Sequence, residues 1–141
     1  MILLVEDNQD DELLTLRALN KHHISSAIVV ARNGVEALDY LFGGGPRFAG
    51  AATAGVQLVL LDLNLPLLSG VEVLKRIRAD ERTRFVPVIV LTSSREDQDI
   101  LDCYASGANA YVRKPVDFRE FCEMASTIGR FWVSLNERVL P

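Results

Sequence analysis

The sequence contains only two cysteines, and their positions exclude two familiar kinds of structural crosslink. Cys103 and Cys122 do not form the C-x-x-C spacing of a zinc site, and two cysteines are too few for a disulfide scaffold. We therefore expect both residues to be free thiols in a reducing compartment.

The chain also lacks long apolar runs and an excess of positive charge. No segment reaches the ~18 apolar residues that a membrane span needs, and no signal peptide precedes the first apolar run. The formal net charge of −4 disfavours partners such as nucleic acid, which bind to a basic face. These absences predict a cytoplasmic protein without membrane or direct nucleic-acid contacts.

A glycine-rich stretch at residues 43–46 does not carry the pattern of a phosphate-binding loop. No Gly-Lys-Ser/Thr follows it, and the 43–56 segment leads into a predicted strand, whereas a phosphate loop leads into a helix. We interpret this segment as a surface loop, longer than the usual connection of about 2 to 6 residues.

Short apolar runs alternate with amphipathic segments along all 141 residues. The predicted strands cover residues 1–5, 27–31, 58–61, 86–91 and 110–113, and predicted helices begin near residues 10, 34, 70, 96 and 117. Regular alternation of this kind is typical of α/β proteins with a parallel, doubly wound sheet and helices on both faces. We expect one domain, 1–141, with no output domain.

The last predicted helix is unusually long. It begins near Asp117, a good N-cap residue, and its apolar stripe continues through about five turns, so it can extend beyond the sheet that it covers. Phe131, Trp132 and Leu135 on its distal part are therefore candidates for a protein interface.

A basic stretch surrounds the third predicted helix. We expect Lys75, Arg76 and Arg78 to face water on that helix, as a solvated surface and not as a nucleic-acid site.

Polar side chains of matched chemistry follow four of the predicted strands. Glu6 and Asp7 follow the first strand, Asp62 the third, Thr92 the fourth and Lys114 the fifth. Ligands of such sheets bind beyond the carboxyl ends of the strands, so we expect these residues to converge. Three adjacent carboxylates repel one another unless one is protonated or a cation neutralises them, and an all-oxygen ligand set favours Mg²⁺. Lys114 and Thr92 would then contact a phosphoryl group.

These residues, in this order, resemble the CheY-like receiver domain of two-component response regulators. The resemblance spans most of the chain and rests on Glu6-Asp7, Asp62 within residues 61–66, Gly70, Thr92, Tyr111 and Lys114-Pro115. It implies a flavodoxin-like (βα)5 fold with strand order 2-1-3-4-5. It also implies a phosphoacceptor switch with at most slow autodephosphorylation, and not an enzyme.

The resemblance also assigns roles to individual residues. Asp62 would accept the phosphoryl group from a histidine kinase, with Thr92 and Lys114 assisting. Asp7, Asp62 and the backbone carbonyl of Asn64 would ligate Mg²⁺ directly, and Glu6 would act through water. The Lys114-Pro115 bond is commonly cis in this family, which would direct the lysine into the site.

A conformational signal follows from the same resemblance. Thr92 would move toward the phosphoryl group, and Tyr111 would shift between outward and inward positions. The surface formed by the fourth helix, fifth strand and fifth helix would change with them, and it would support a homodimer. The long tail, the 43–56 loop and residues 112–118 resemble the stand-alone regulators that pair with bacterial phytochrome kinases.

Other readings remain open from the residues alone. A haloacid-dehalogenase-type phosphatase also uses an aspartyl phosphate, but its second acidic residue is replaced here by Asn64, which is a poor general acid. A receiver-like scaffold that is never phosphorylated would usually have lost an acidic residue, the threonine or the lysine. A flavodoxin-like FMN site would need a phosphate loop after the first strand, and none is present.

Overall fold

A computed structural model describes residues 1–21, 27–43 and 55–139. The strands are β1 (Ile2–Val5), β2 (Ile28–Ala31), β3 (Leu58–Leu61), β4 (Val88–Thr92) and β5 (Ala110–Arg113). The helices are α1 (Gln9–Lys21), α2 (Gly34–Phe42), α3 (Gly70–Ala79), α4 (Asp97–Ala105) and α5 (Phe118–Gly129), and a π-helical turn (Arg130–Leu135) continues α5. Most of the predicted 43–56 loop lies outside the described residues.

The described strands form one parallel sheet in the order β2-β1-β3-β4-β5. This order confirms the predicted doubly wound arrangement. Every residue of β1, β3 and β4 is buried, whereas the edge strands β2 and β5 are partly exposed. The continuous apolar runs of the sequence therefore correspond to strands that are covered on both faces.

Two apolar layers lie on opposite faces of the sheet. Leu3 and Val59 of the first layer pack with residues of α2 and α3, and Ile2 and Leu58 of the second pack with residues of α1 and α5. Because successive side chains of a strand point to opposite faces, neighbouring residues contribute to different layers. Both layers leave the carboxyl ends of the strands free to carry polar groups.

The predicted N-cap of α5 is confirmed, and a glycine follows the end of α4. Asp117 accepts a hydrogen bond from the Glu120 amide at 3.0 Å and caps α5. Gly107 follows the C-cap of α4 with φ of +102°, a backbone conformation that favours glycine. The predicted final helix extends through Leu135, but its last part is π-helical, with the Asn136 amide donating to the Phe131 carbonyl at 2.7 Å.

Arg78 does not face water as the sequence had suggested. Its guanidinium donates to the carbonyls of Gly107 at 2.9 Å, Arg84 at 3.1 Å and Val86 at 2.7 Å, and to Asn109 Oδ1 at 2.7 Å. The prediction for this residue is wrong because a long arginine side chain can reach carbonyl groups of neighbouring loops that helical periodicity does not reveal. Arg78 thus connects α3 to the segments that precede β4 and β5.

No helix among the described residues is long and apolar enough to cross a membrane.

Candidate functional site

Asp62 lies directly after β3 and is almost fully buried, with 7% of its surface exposed. Its Oδ1 accepts hydrogen bonds from the amides of Leu63 at 2.7 Å and Asn64 at 3.4 Å. Its Oδ2 lies 3.2 Å from Lys114 Nζ. One carboxylate oxygen is therefore held by the backbone, and the other faces the lysine.

The loop that follows Asp62 is tightly packed against α3. The Gly70 amide donates to the Leu63 carbonyl at 3.0 Å, and a Cβ at position 70 would lie 2.3 Å from the Asp62 carbonyl oxygen. Glycine is required here because the backbones approach so closely. Leu67 in the same loop has a φ of +69° and is 79% exposed, an unusual conformation for a branched apolar residue.

An acidic trio forms the centre of the site. Glu6, Asp7 and Asp62 each offer a carboxylate oxygen, and these oxygens all lie within 4.8 Å of one another. Glu6 and Asp62 are buried, whereas Asp7 is exposed. A group of oxygen ligands that is open to solvent on one side fits a hard divalent cation that retains several waters.

Lys114 joins this trio from the end of β5. Its Nζ lies 2.6 Å from Glu6 Oε1, 2.9 Å from Asp11 Oδ2 and 3.2 Å from Asp62 Oδ2. The lysine side chain is only 7% exposed. The predicted convergence of Glu6, Asp62 and Lys114 is therefore observed in the fold.

Asp11 was not identified by sequence reasoning. It lies in the first turn of α1, four residues after Asp7 in the sequence, so helical spacing from the acidic pair was the available signal. That signal was weak because acidic residues are common in first turns of helices.

The charges of this cluster do not balance. Glu6, Asp11 and Asp62 surround one ammonium group, so their formal sum is −3 + 1 = −2. Burial, aided by the Asp62 carboxylate and opposed by Lys114, raises the pKa of Glu6 to about 7. Burial opposes the charge of Lys114 as well, but its hydrogen bonds to Glu6 and Asp11 hold the lysine pKa above its usual range. Excess negative charge thus favours the protonated form of both groups.

A second set of contacts links the site to α4. Thr92 is fully buried and its Oγ1 accepts the Ser94 amide at 3.2 Å. The Ser94 hydroxyl donates to Asp99 Oδ2, and the Ser94 carbonyl accepts the Tyr111 hydroxyl at 3.2 Å. Ser94 and Asp99 were not singled out from the sequence. Ser94 connects the predicted residues Thr92 and Tyr111, and Asp99 connects Ser94 to α4.

The Lys114–Pro115 peptide bond is not cis, since no cis bond is present among the described residues. The expectation taken from the resemblance is therefore wrong for this chain. Trans is the intrinsically preferred isomer even before proline, and Lys114 already reaches its carboxylate partners with that backbone.

A pocket of about 270 Å³ opens beside Lys114, between α1 and the segment that joins β5 to α5. Its lining residues are Asp11, Leu14, Ser93, Lys114, Pro115, Val116, Phe118 and Phe121. Val116 is 96% exposed and Phe118 is 61% exposed. The acidic site is thus bordered by an apolar rim.

The C-terminal interface candidates differ in exposure. Phe131 and Leu135 are 46% and 63% exposed, respectively. Trp132 is half-buried and packs against the apolar layer that contains Ile128, with its ring 5.0 Å from that of Phe131 in an edge-to-face arrangement. Their participation in an interface stays a prediction.

A family model described as "Response regulator receiver domain" matches residues 2–126. This chain belongs to that family. Receiver domains are phosphoacceptor switches, not classical enzymes, and they work with histidine kinases. The fold expectation and the main functional expectation of the sequence are thus confirmed.

Two curated relatives match nearly the whole chain. The "Probable methanogenesis regulatory protein FilR2" of Methanothrix harundinacea is 38% identical over 141 residues, which is 100% of this chain and 88% of that protein. "Response regulator Rcp1" of Synechocystis is 32% identical over 138 residues, covering 94% of this chain and 88% of Rcp1.

Solved structures show the same similarity. The phosphorylated cyanobacterial phytochrome response regulator RcpA superimposes with a TM-score of 0.90 at 36% identity, covering 97% of this chain and 96% of RcpA. The Mn²⁺-bound form of Rcp1 gives a TM-score of 0.89 at 32% identity, covering 99% and 97% of the two chains. The acidic trio, together with that relative, indicates a divalent metal site.

Proposed function

We propose that Asp62 is the residue that accepts a phosphoryl group from the phosphohistidine of a histidine kinase. The observation that carries this proposal is the position of Asp62, which pairs with Lys114 and belongs to the acidic trio at the carboxyl ends of β1 and β3. A carboxylate, a cation-binding cluster and a mobile ammonium are the groups that phosphoryl transfer requires.

The geometry suggests which oxygen of Asp62 reacts. Oδ1 is held by the amides of Leu63 and Asn64, so Oδ2, which accepts from Lys114, is the oxygen that would attack. Oδ2 would attack the phosphorus in line, a new O–P bond would form, and the N–P bond of the phosphohistidine would break. The electron pair of that bond returns to the imidazole, and the product on Asp62 is an acyl phosphate.

We assign the divalent cation to Mg²⁺, held by Asp7, Asp62 and the backbone carbonyl of Asn64, with Glu6 acting through water. The bound ion would neutralise charge on the transferred phosphoryl oxygens. Lys114 would donate a hydrogen bond to one of those oxygens, and the Thr92 hydroxyl would donate to another.

The signal would then pass through Thr92. If its hydroxyl turns toward the phosphoryl group, the Ser94 amide loses its acceptor at 3.2 Å. Ser94 also holds the Tyr111 hydroxyl and Asp99, so α4 and the tyrosine would adjust together. The surface of α4, β5 and α5 is therefore the proposed output.

We further propose that the cognate kinase is of the phytochrome class, because RcpA and Rcp1 are both similar to this chain over nearly its whole length. A light-regulated phytochrome kinase that transfers its phosphoryl group to this chain within seconds would support the pairing. Transfer no faster than that from an unrelated histidine kinase would contradict it.

A homodimer would use the α4, β5 and α5 surface together with the C-terminal turn. Leu101 and Tyr104 of α4 are 61% and 50% exposed, and the turn adds Phe131, Trp132 and Leu135. Changing Phe131 and Leu135 together to serine should shift sedimentation toward monomer. Val139→Ser, at a residue 65% exposed beyond the turn, is the matched control. An unchanged profile in the double variant would remove this interface.

Intact-mass spectrometry after incubation with acetyl phosphate tests the phosphoacceptor assignment. The wild type should gain the mass of one phosphoryl group when Mg²⁺ is present, and neither chelated wild type nor Asp62→Asn should gain it. Labelling that persists in Asp62→Asn would reject Asp62 as the acceptor. No labelling of the wild type by acetyl phosphate or by a kinase would instead favour a receiver-like scaffold.

A further inference from the structure

Asp11 contacts Lys114 without belonging to the acidic trio. Its Oδ2 lies 2.9 Å from Lys114 Nζ, and its side chain is 25% exposed where it lines the pocket between α1 and the β5–α5 segment. The oxygens that could hold a cation come from Glu6, Asp7 and Asp62. Within the described part of the chain, the ion pair of the Asp11 carboxylate is with Lys114.

All donors of the lysine are used in this structure. An ammonium group has three protons, and Lys114 directs them to the carboxylates of Glu6, Asp11 and Asp62. A phosphoryl group on Asp62 must take one of these donors. Glu6 and Asp62 also belong to the acidic trio, so a bound cation would compete with Lys114 for their oxygens but not for the oxygen of Asp11.

We propose that Asp11 is a positioning residue that holds Lys114 on the α1 side of the site and thereby slows phosphoryl acceptance from small anionic donors. This inference rests on the proposed function of Asp62 and Lys114. Asp11 reduces the positive charge that Lys114 presents, and its own carboxylate stands at the pocket through which a free donor approaches. Both effects are electrostatic, and both oppose the binding of a donor that carries two negative charges.

The transfer itself is the same acyl-phosphate formation. With acetyl phosphate, a bond forms between Asp62 Oδ2 and phosphorus, the bond between phosphorus and the acetate oxygen breaks, and acetate leaves with the electron pair. No additional reactant is required. Asp11 touches neither the phosphorus nor the leaving group in this scheme and acts through Lys114.

Initial rates of labelling by acetyl phosphate in Mg²⁺ buffer test the proposal. Asp11→Asn should be labelled about five to twenty times faster than the wild type at low salt, and the gain should shrink as salt screens the charge. Asp11→Glu should stay close to the wild type because it keeps the charge. Asp10→Asn is the matched control, since it removes the same charge from an exposed neighbour in the same helical turn.

Two further readouts separate this role from a purely structural one. Phosphoramidate carries less negative charge than acetyl phosphate. With phosphoramidate, the increase in labelling rate that Asp11→Asn produces should therefore be smaller. In the metal-free protein, the ¹⁵N-ammonium proton signal of Lys114 should weaken in Asp11→Asn, which replaces a charged acceptor with a weaker neutral one, and persist in Asp10→Asn.

Labelling of the wild type separates a failure of the role of Asp11 from a failure of the role of Asp62. A wild type that is labelled at Asp62, with Asp11→Asn no faster than Asp10→Asn, would overturn the role of Asp11 and leave Asp62 as the acceptor. An unchanged Lys114 signal in Asp11→Asn would overturn it as well. A wild type that is never labelled would overturn the role of Asp62, and the inference with it.

Discussion

The two ends of the sheet each carry a long cationic side chain, and the two cations differ in what they contact. At the carboxyl end, Lys114 is surrounded by the carboxylates of Glu6, Asp11 and Asp62. At the amino end, Arg78 donates to three backbone carbonyls and to Asn109 Oδ1, which in turn accepts the Val88 amide at 2.8 Å. One set of acceptors is charged and the other is neutral.

The two sets of acceptors show which end of the sheet can respond to a signal. Carboxylates bind protons, metal ions and phosphoryl groups, so the contacts of Lys114 depend on what else is bound. Carbonyl and amide acceptors do not titrate, so we expect the contacts of Arg78 not to depend on the chemical state of the site. The amino end is therefore a fixed support, and the carboxyl end is where a change of charge can become a change of structure.

Replacement of Lys114 should have the largest effect on stability. Lys114→Met leaves three carboxylates without their shared cation, and we expect the metal-free protein to lose about 3 to 5 kcal/mol of unfolding free energy at pH 7. The loss should become smaller at pH 5, where Glu6 is protonated, or when Mg²⁺ is added. Urea denaturation measures it, with the exposed Lys75→Met as control. A loss of unfolding free energy that did not change with pH or with Mg²⁺ would contradict the role of charge at Lys114.

Replacement of Arg78 should come next and should behave differently. Arg78→Ala removes four hydrogen bonds, and we expect a loss of about 2 to 3 kcal/mol that is equal at pH 5 and pH 7 and unaffected by Mg²⁺. Arg76→Ala is the control, because its surface ion pair with Glu72 at 3.5 Å contributes little. A Mg²⁺-dependent loss in Arg78→Ala would erase the distinction between the two ends.

Glu6 should produce a smaller, pH-dependent effect. Its pKa is raised in the folded protein to about 7, so folding favours the protonated acid and the metal-free protein should lose stability as pH rises from about 4.5 to 7. In Glu6→Gln, the fall in unfolding free energy over this pH range should be smaller than in the wild type by about 1 to 2 kcal/mol. Denaturation midpoints measured with a chelator across that pH range test whether stability falls as pH rises. A decline of equal slope in Glu6→Gln would assign it to other groups.

The smallest effect concerns backbone strain at the carboxyl end. Leu67 is the one non-glycine residue with a positive φ among those that the structure describes. Leu67→Gly should stabilise the fold by about 0.5 to 1 kcal/mol, whereas Leu67→Ala, which keeps a Cβ, should not. Thermal denaturation of both variants decides this, and equal melting temperatures would show that no strain is relieved.

Much of the fold and part of the site could be predicted from the sequence. Apolar runs located the strands, and the polar residues Glu6, Asp62 and Lys114 at their ends converge because parallel strands end at the same edge. The contacts of Asp11 could not be predicted, since they depend on how close the first turn of α1 comes to the end of β5 in the folded chain. The same holds for Arg78, whose partners lie in loops distant along the chain.

The role of Asp62 as phosphoacceptor is tested most directly by locating the phosphoryl group after labelling with acetyl phosphate and Mg²⁺. Borohydride reduces an aspartyl phosphate to homoserine, and peptide mass mapping then identifies the modified residue. We expect homoserine at position 62 and at no other acidic residue of the cluster. Homoserine at position 7 or 11, with Asp62 intact, would contradict it.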